Sequence, residues 1–245
     1  MTMKFEFENS YEVSDKIREK KIAVLPVGAV EAHGPHLPLS TDNILAEEMA
    51  GKLAKRVDAF VLPTLPYGQV WSLRNFPGSI NVSNESLISI LYDIGHSIHN
   101  QGFSSFVMMN GHLGNSTALK EAARKLFDEI PDLKVYYFFY PGMKAYAEEV
   151  REDNAAHSTY FHACEIETSY MLHLSPDKVD MDKALRDIPD ISVEADVTPT
   201  PWEVFTESAV LGDATLADDS KGEYILEKVL DNMVNILTQN KGAAE

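Results

Sequence analysis

The chain has 245 residues, enough for one large α/β domain, and its 44% apolar and 24% charged residues are those of an ordinary globular protein. A formal net charge of −17 provides no cationic face for counterion release, which argues against nucleic acid or an anionic membrane as the partner. One cysteine, Cys164, excludes an internal disulfide and a thiolate zinc cage. The segment MTMKFEFENSYEV has early acids and no apolar core of a secretory signal, and no apolar stretch reaches the ~20 residues of a membrane span, so a cytoplasmic protein is expected.

Strands and helices alternate along the chain. Residues 22–27 form an apolar run that stops at Gly28, as a buried parallel strand does. Leu45, Met49 and Leu53 then recur at fourth-residue spacing and predict a helix over 43–57. A strand is expected over 60–65, followed by a long loop, YGQVWSLRNFPGSINVS, too rich in Gly, Pro, Ser and Asn for regular structure. Leu87, Leu91, Ile94 and Ile98 predict a helix over 84–100, and 104–109 the next strand. A helix over 116–127, a strand over 134–140, a partly helical stretch to 160 and a helix over 163–172 follow. Residues 187–201 read as an extended excursion, and Ile225, Val229, Met233 and Ile236 mark a terminal helix over 222–237. The alternation predicts an α/β fold: a single domain over 1–245 with a mostly parallel sheet and helices on both faces. Ligands on such sheets bind beyond the carboxyl ends of the strands.

The most telling stretch is VLPVGAVEAHGPHLPLSTD, residues 24–42, where a buried strand delivers Glu31, His33, His36 and Asp42 into a stiff loop. Carboxylates and imidazoles so gathered suit a small divalent ion. Glu31 and His33 are separated by one residue, so on extended backbone both project to one side, and one loop can serve two neighbouring metals. Asp42 could cap the helix that follows, but its two oxygens could also bridge two ions, and bridging is the favoured role. His112, in the NGHLGN turn after the third strand, faces the same cleft; a plain turn histidine, with Gly111 and Gly114 at positive φ, or an anion cradle in GHLGNS are the competing readings. In HACEIETS, His162 and Glu165 are three apart at a helix start, hence on one face: Glu165 can be a fifth ligand and His162 a general acid or oxyanion partner. Glu167 should point elsewhere and stabilise the helix start. His36 is either another loop ligand or a group that orients one. In the long loop, Trp71, Arg74 and Asn75 are candidate substrate contacts.

EAHGPHLPLSTD, FPGS, MNGHLGN, HACEIETSYML and the late GDAT…KGEYILE, in that order, resemble the creatininase (creatinine amidohydrolase) family over nearly the whole chain. The resemblance implies a single α/β domain, a hexamer built from dimers, and a binuclear centre. Glu31, Asp42 and His112 would hold one metal, His33, Asp42 and Glu165 the other, with His162 as the catalytic histidine. The chain departs from creatininases at four positions. Gly114 stands where they have a Glu ligand, so Glu165 is expected to replace it. Phe161 stands where they have an acid before the histidine. Pro141 and Ser158 align with the tryptophans that close over creatinine, which makes a substrate other than creatinine the expectation.

The expected reaction is attack by a metal-bridging hydroxide on a carbonyl of a small cyclic amide or formamide, with zinc ahead of manganese or iron. Ring opening of a cyclic ketone by C–C hydrolysis, a metal-binding scaffold without turnover, and nucleotide binding at GHLGNS are the alternatives. The expected partners are a small-molecule substrate and further copies of the chain.

Overall fold

The computed structural model describes residues 3–19, 21–157 and 159–239. Five parallel strands form the main sheet: β1 (Met3–Lys4), β2 (Ile22–Val27), β3 (Phe60–Val61), β4 (Ser105–Asn110) and β5 (Lys134–Phe138), in the spatial order β1-β3-β2-β4-β5. The helices are α1 (Ser10–Ile17), α2 (Thr41–Val57), α3 (Asn84–Asn100), α4 (Ser116–Glu129), α5 (Met143–Val150), α6 (Glu165–Leu174) and α7 (Asp219–Gln239). A short antiparallel pair, β6 (Arg186–Asp187) with β7 (Gly212–Asp213), closes the excursion between α6 and α7.

Alternation along the central strands divides the core. Ala23, Leu25 and Val27 of β2, with Phe106 and Met108 of β4, pack against α1, α3 and α4. Val24, Val107 and Met109 face the other way, into a cluster built by α2, α5, α6 and α7. Helices therefore cover both faces, as the near-continuous apolar strands require. Among the described residues, no helix is long and apolar enough to cross a membrane.

Three of the element boundaries that differ from the sequence reading do so for a visible local reason. The strand expected over 60–65 is regular only at Phe60–Val61; beyond it the pairing with β2 brings Pro63 opposite Pro26, neither of which has an N–H to give. The pairing resumes only at Leu65, which bridges Val27 and donates its N–H to the Pro26 carbonyl at 2.9 Å. β5 stops at Phe138 because Tyr140 has φ +39°, and α6 starts at Glu165 rather than 163 because Ala163 has φ +47°. Helix α1 was not anticipated, although its signal is present: Asn9 accepts the N–H groups of Tyr11 and Glu12, and Glu12 returns a bond to the Asn9 N–H.

In chain order β2 pairs first with β3 on one side and then with β4 on the other, so the connections leaving β2 and β4 diverge. That divergence opens a crevice at their carboxyl ends. Phe106, fully buried in β4, helps to fix the spacing of these strands. Phe106→Ala is expected to cost about 3–5 kcal/mol of stability, read as a lowered urea midpoint at unchanged m-value.

Candidate metal centre and active site

The loop after β2 carries Glu31 and His33, the first turn of α2 carries Asp42, the turn after β4 carries His112, and the segment entering α6 carries His162 and Glu167. All six are buried or nearly so. Three overlapping groups have ligand atoms within 4.8 Å of one another: Glu31, Asp42 and His112; His33, Asp42 and Glu167; and Glu31, His33 and His162. Asp42 divides its oxygens between the first two. Oδ2 lies 3.2 Å from His112 Nδ1, and Oδ1 lies 3.3 Å from His33 Nε2. Glu31 Oε1 is 3.1 Å from His112 Nδ1 and 3.7 Å from His162 Nδ1, and Glu167 Oε2 is 3.8 Å from His33 Nε2. Asp42 is not the cap of α2: that position is Ser40, which makes no side-chain capping bond.

Each imidazole is oriented by a backbone carbonyl. His33 Nδ1 meets the Glu31 carbonyl at 3.1 Å, His112 Nε2 the Gln69 carbonyl at 2.7 Å, and His162 Nε2 the Ala32 carbonyl at 2.8 Å. A carbonyl only accepts, so these nitrogens carry the protons, and in the neutral rings the lone pairs of His33 Nε2, His112 Nδ1 and His162 Nδ1 face the carboxylates. That is how proteins orient histidine ligands for a metal.

Without cations the cluster is electrostatically costly. Carboxylates at these separations repel by on the order of 4 kcal/mol per pair even at an effective dielectric of about 20. Burial pushes the Glu167 carboxyl up to about 7, with the charges of Asp42 and Glu31 adding to it against His33. Burial likewise raises Glu31, while His112 opposes it. Asp42 is held well below the usual range by His33 and His112 despite its burial. Burial works against a charge on His33, yet Asp42, with Glu167 and Glu31, lifts that imidazole to about 10. His162 is lowered by burial and by the neighbouring His33, so it stands neutral. His33 Nε2 and Asp42 Oδ2 are buried without a hydrogen-bond partner. Inward-facing lone pairs, crowded carboxylates and unpartnered buried polar atoms all fit a divalent metal centre.

Glu165 is not part of this cluster. Its carboxylate accepts the N–H groups of Glu152 (3.0 Å) and Asp153 (3.1 Å) and the ammonium of Lys221 (2.5 Å), tying the segment after α5 to α6 and α7. The sequence reading had placed His162 and Glu165 on one helical face, but the left-handed Ala163 and extended Cys164 lie between His162 and the helix. The helical phase therefore starts at Glu165, and Glu167 turns to the pocket. Glu167 Oε2 also accepts the Ala163 N–H at 2.6 Å. His36 bonds Thr168 Oγ1 at 2.9 Å, bracing the first turn of α6 rather than facing the cluster.

Gly111 and Gly114 do not adopt positive φ; they are needed for close approach. A Cβ at 111 would lie 2.1 Å from the Asp42 carbonyl, and one at 114 would lie 2.4 Å from both His112 Nε2 and the Gln69 carbonyl. The turn is built by its asparagines. Asn110 Oδ1 accepts the His112 N–H, and buried Asn115 spans Gln69 N and Gly28 O.

A cavity of about 190 Å³ opens over the cluster, with Glu31, Asp42, His112, His162 and Glu167 on its floor and Val70, Leu73, Phe139, Tyr160, Phe161 and Trp202 among its walls. Trp71, Arg74 and Asn75 do not line it. The Arg74 guanidinium lies 4.4 Å over the Trp71 ring, and Asn75 donates to Glu203. The aromatic at the mouth is Trp202, whose ring meets His162 edge-on at 5.3 Å. It stands just beyond the 187–201 stretch that reads as extended chain. Pro141 is not among the lining residues, its carbonyl accepting from Asn232, and Ser158 lies outside the described residues.

Residues 7–237 match the family model "Creatininase: Creatinine amidohydrolase". The chain belongs to the creatininase family. It is 29% identical to creatinine amidohydrolase of Pseudomonas putida, over 89% of each chain. It is 30% identical to the mycofactocin precursor peptide peptidase of Mycolicibacterium smegmatis, over 86% of this chain and 81% of that one. A mutant creatininase of Zn-Zn type superposes with a TM-score of 0.86 at 28% identity, covering 98% of both chains. With this kinship and this cluster, the protein is a metal-dependent hydrolase of the family.

Gly111→Ala is expected to push Asp42 away from His112 and reduce bound metal severalfold in elemental analysis, because the added Cβ meets backbone it cannot share. Metal uptake must also displace the His33 proton, since a group lifted to about 10 is protonated at neutral pH. Uptake should therefore release about one proton or more per subunit and weaken as pH falls. Calorimetry in buffers of differing ionisation enthalpy measures this, and a buffer-independent heat would contradict it.

Proposed function

We propose that the chain hydrolyses a C–N bond to a carbonyl in a small cyclic amide or formamide at a binuclear centre. Glu31, Asp42 and His112 would hold one ion and His33, Asp42 and Glu167 the other, Asp42 giving one oxygen to each. The observation that carries this reading is the pair of three-residue groups sharing Asp42, with His33 Nε2 and His112 Nδ1 turned to its two oxygens. Zinc is the first expectation for this N/O donor set, with manganese or iron next.

Divalent ions bound here would supply a water acidified from a pKa of 15.7 to about 7 and would polarise the scissile carbonyl. The chain's own groups do the rest. His162 is neutral and fixed by its Nε2–H bond to the Ala32 carbonyl, so its free Nδ1 faces the floor of the cavity and can take up a proton there. It can then return that proton to the departing nitrogen. Glu167 Oε2 lies 3.9 Å from His162 Nδ1, so its carboxylate steadies the imidazolium that forms in between. Phe139, Phe161 and Trp202 keep bulk water from the reacting carbon.

Asp42→Ala is expected to remove both ions, from about two per subunit to near zero, together with all turnover of a lactam and formamide panel. Paired variants test the fifth ligand. Glu167→Gln should lower metal content and cut kcat by about a hundredfold or more. Glu165→Gln should leave metal content unchanged and instead lower thermal stability, by about 3–5 kcal/mol for a broken buried pair. The reverse pattern would return Glu165 to the ligand set.

A further inference from the structure

Tyr140 combines two local costs that the ligand set does not explain. Its backbone is left-handed at φ +39°, a region that bulky residues rarely occupy. Its hydroxyl is buried without a hydrogen-bond partner, although a phenol removed from water ordinarily finds one. Phenylalanine would fill the same space without that second cost. The turn has a visible result: Phe139 lines the cavity, while Tyr140, only 4% exposed, enters the core. The Tyr140 ring lies 5.3 Å from that of Tyr170, whose own hydroxyl donates to the Met143 sulfur at 3.7 Å. Tyr170 stands three residues after Glu167 on α6, so the two share one face of that helix. Tyr140 is thereby packed against the face that carries Glu167. Burial first, and then Tyr170, Glu167 and Asp42, raise the phenol well above its ordinary range, so it stays an O–H donor. Glu167 presents the complement. Its Oε2 accepts the Ala163 N–H at 2.6 Å and faces His33 and His162, whereas Oε1 accepts no hydrogen bond among the described residues.

We propose that Tyr140 is the positioning residue of Glu167: its O–H donates to the carboxylate oxygen that the metal ion leaves free and so fixes the rotation of that ligand. This rests on the reading that places Glu167 on one ion, and it assigns what holds that ligand in place. The other members of the group are already oriented. His33 is fixed by the Glu31 carbonyl, and Asp42 divides its oxygens between His33 and His112. Glu167 is the one whose carboxylate is free to turn about its last bond. Ligating carboxylates are ordinarily held by a donor of this kind, and loss of such a partner weakens metal binding by about 10–100-fold. A phenol suits the task because it donates without bringing a cation to compete with the metal.

The test is Tyr140→Phe in the full-length chain, which removes the hydroxyl and keeps the ring. In metal-free protein its urea midpoint should stay or rise, because an unpaired buried hydroxyl is lost, so a change in metal binding cannot be put down to a weakened fold. In zinc titrations against a chelating indicator, one ion should bind about tenfold or more weakly and the other should change less. A double-mutant cycle with Glu167→Gln decides whether the two residues act as a unit: in that background Tyr140→Phe should add nothing to the loss of zinc affinity. Unchanged zinc affinity in Tyr140→Phe, or equal weakening with and without Glu167→Gln, would overturn the inference. If Glu167→Gln alone leaves zinc affinity unchanged, the ligand set fails and takes this inference with it. If Glu167→Gln weakens zinc and Tyr140→Phe does not, the inference alone fails. The readout is binding, so the outcome with any panel of lactams and formamides leaves it intact.

Discussion

Everything at this site depends on three buried imidazoles whose outer nitrogens are bound to main-chain carbonyls of Glu31, Gln69 and Ala32. A carbonyl cannot donate, so each bond fixes a tautomer and directs the opposite lone pair at Glu31, Asp42 or Glu167. The carbonyls come from the two loops leaving β2 and β3, which have no regular structure. Those loops can hold the rings only because they are themselves tied down, by Asn115 bridging Gln69 and Gly28 and by Asn43 donating to the Ala29 carbonyl. The long loop after β3 therefore has a role the sequence did not reveal: it contributes a carbonyl to His112 rather than a substrate-binding arginine.

The sheet topology explains why the donors meet. β2 and β4 are neighbours, paired from Ile22 with Ser105 to Val27 with Asn110, so the chain leaves both strands at the same level. Gly111 then lets the turn after β4 rest against the first turn of α2, and that contact sets His112 beside Asp42. Helix α6, packed on the same face of the sheet as α2, completes the site. Its entry passes through a left-handed Ala163, a conformation that costs about 1–3 kcal/mol for a residue with a side chain. That kink lets His162 and Glu167 reach the same pocket from outside and inside the helix, while Glu165 turns away to anchor the segment after α5.

Cavity and centre divide the work. The floor is polar and set by strand ends and helix starts, which are rigid. The walls are aromatic and come from the 139, 160–161 and 202 segments, which are connections. Within one family such connections can change while the floor is kept, and two of its relatives are named creatinine amidohydrolase and mycofactocin precursor peptide peptidase.

Much of the fold was legible in the chain because it follows local periodicity. β2 and α3 have the expected bounds, and α2, α4 and α7 differ by a few residues, since their apolar spacing and flanking breakers are strong. The convergence of Glu31, His33, Asp42, His112 and His162 on one pocket was legible for a related reason: each follows a strand end or precedes a helix, where a sheet of this class gathers polar groups. Glu165 and Glu167 could not be told apart in this way. The choice between them rests on a single backbone torsion at Ala163, which helical periodicity cannot supply and which tertiary packing imposes. The same holds for Trp202, an isolated aromatic in proline-rich chain whose position over His162 depends on bonds to a loop more than a hundred residues earlier in sequence. Sequence determined which residues sit at the ends of regular elements, because hydrogen-bonding period and side-chain entropy act locally. Only the folded chain decided which of two nearby carboxylates enters the pocket and which aromatic covers it, because those outcomes depend on contacts between distant segments.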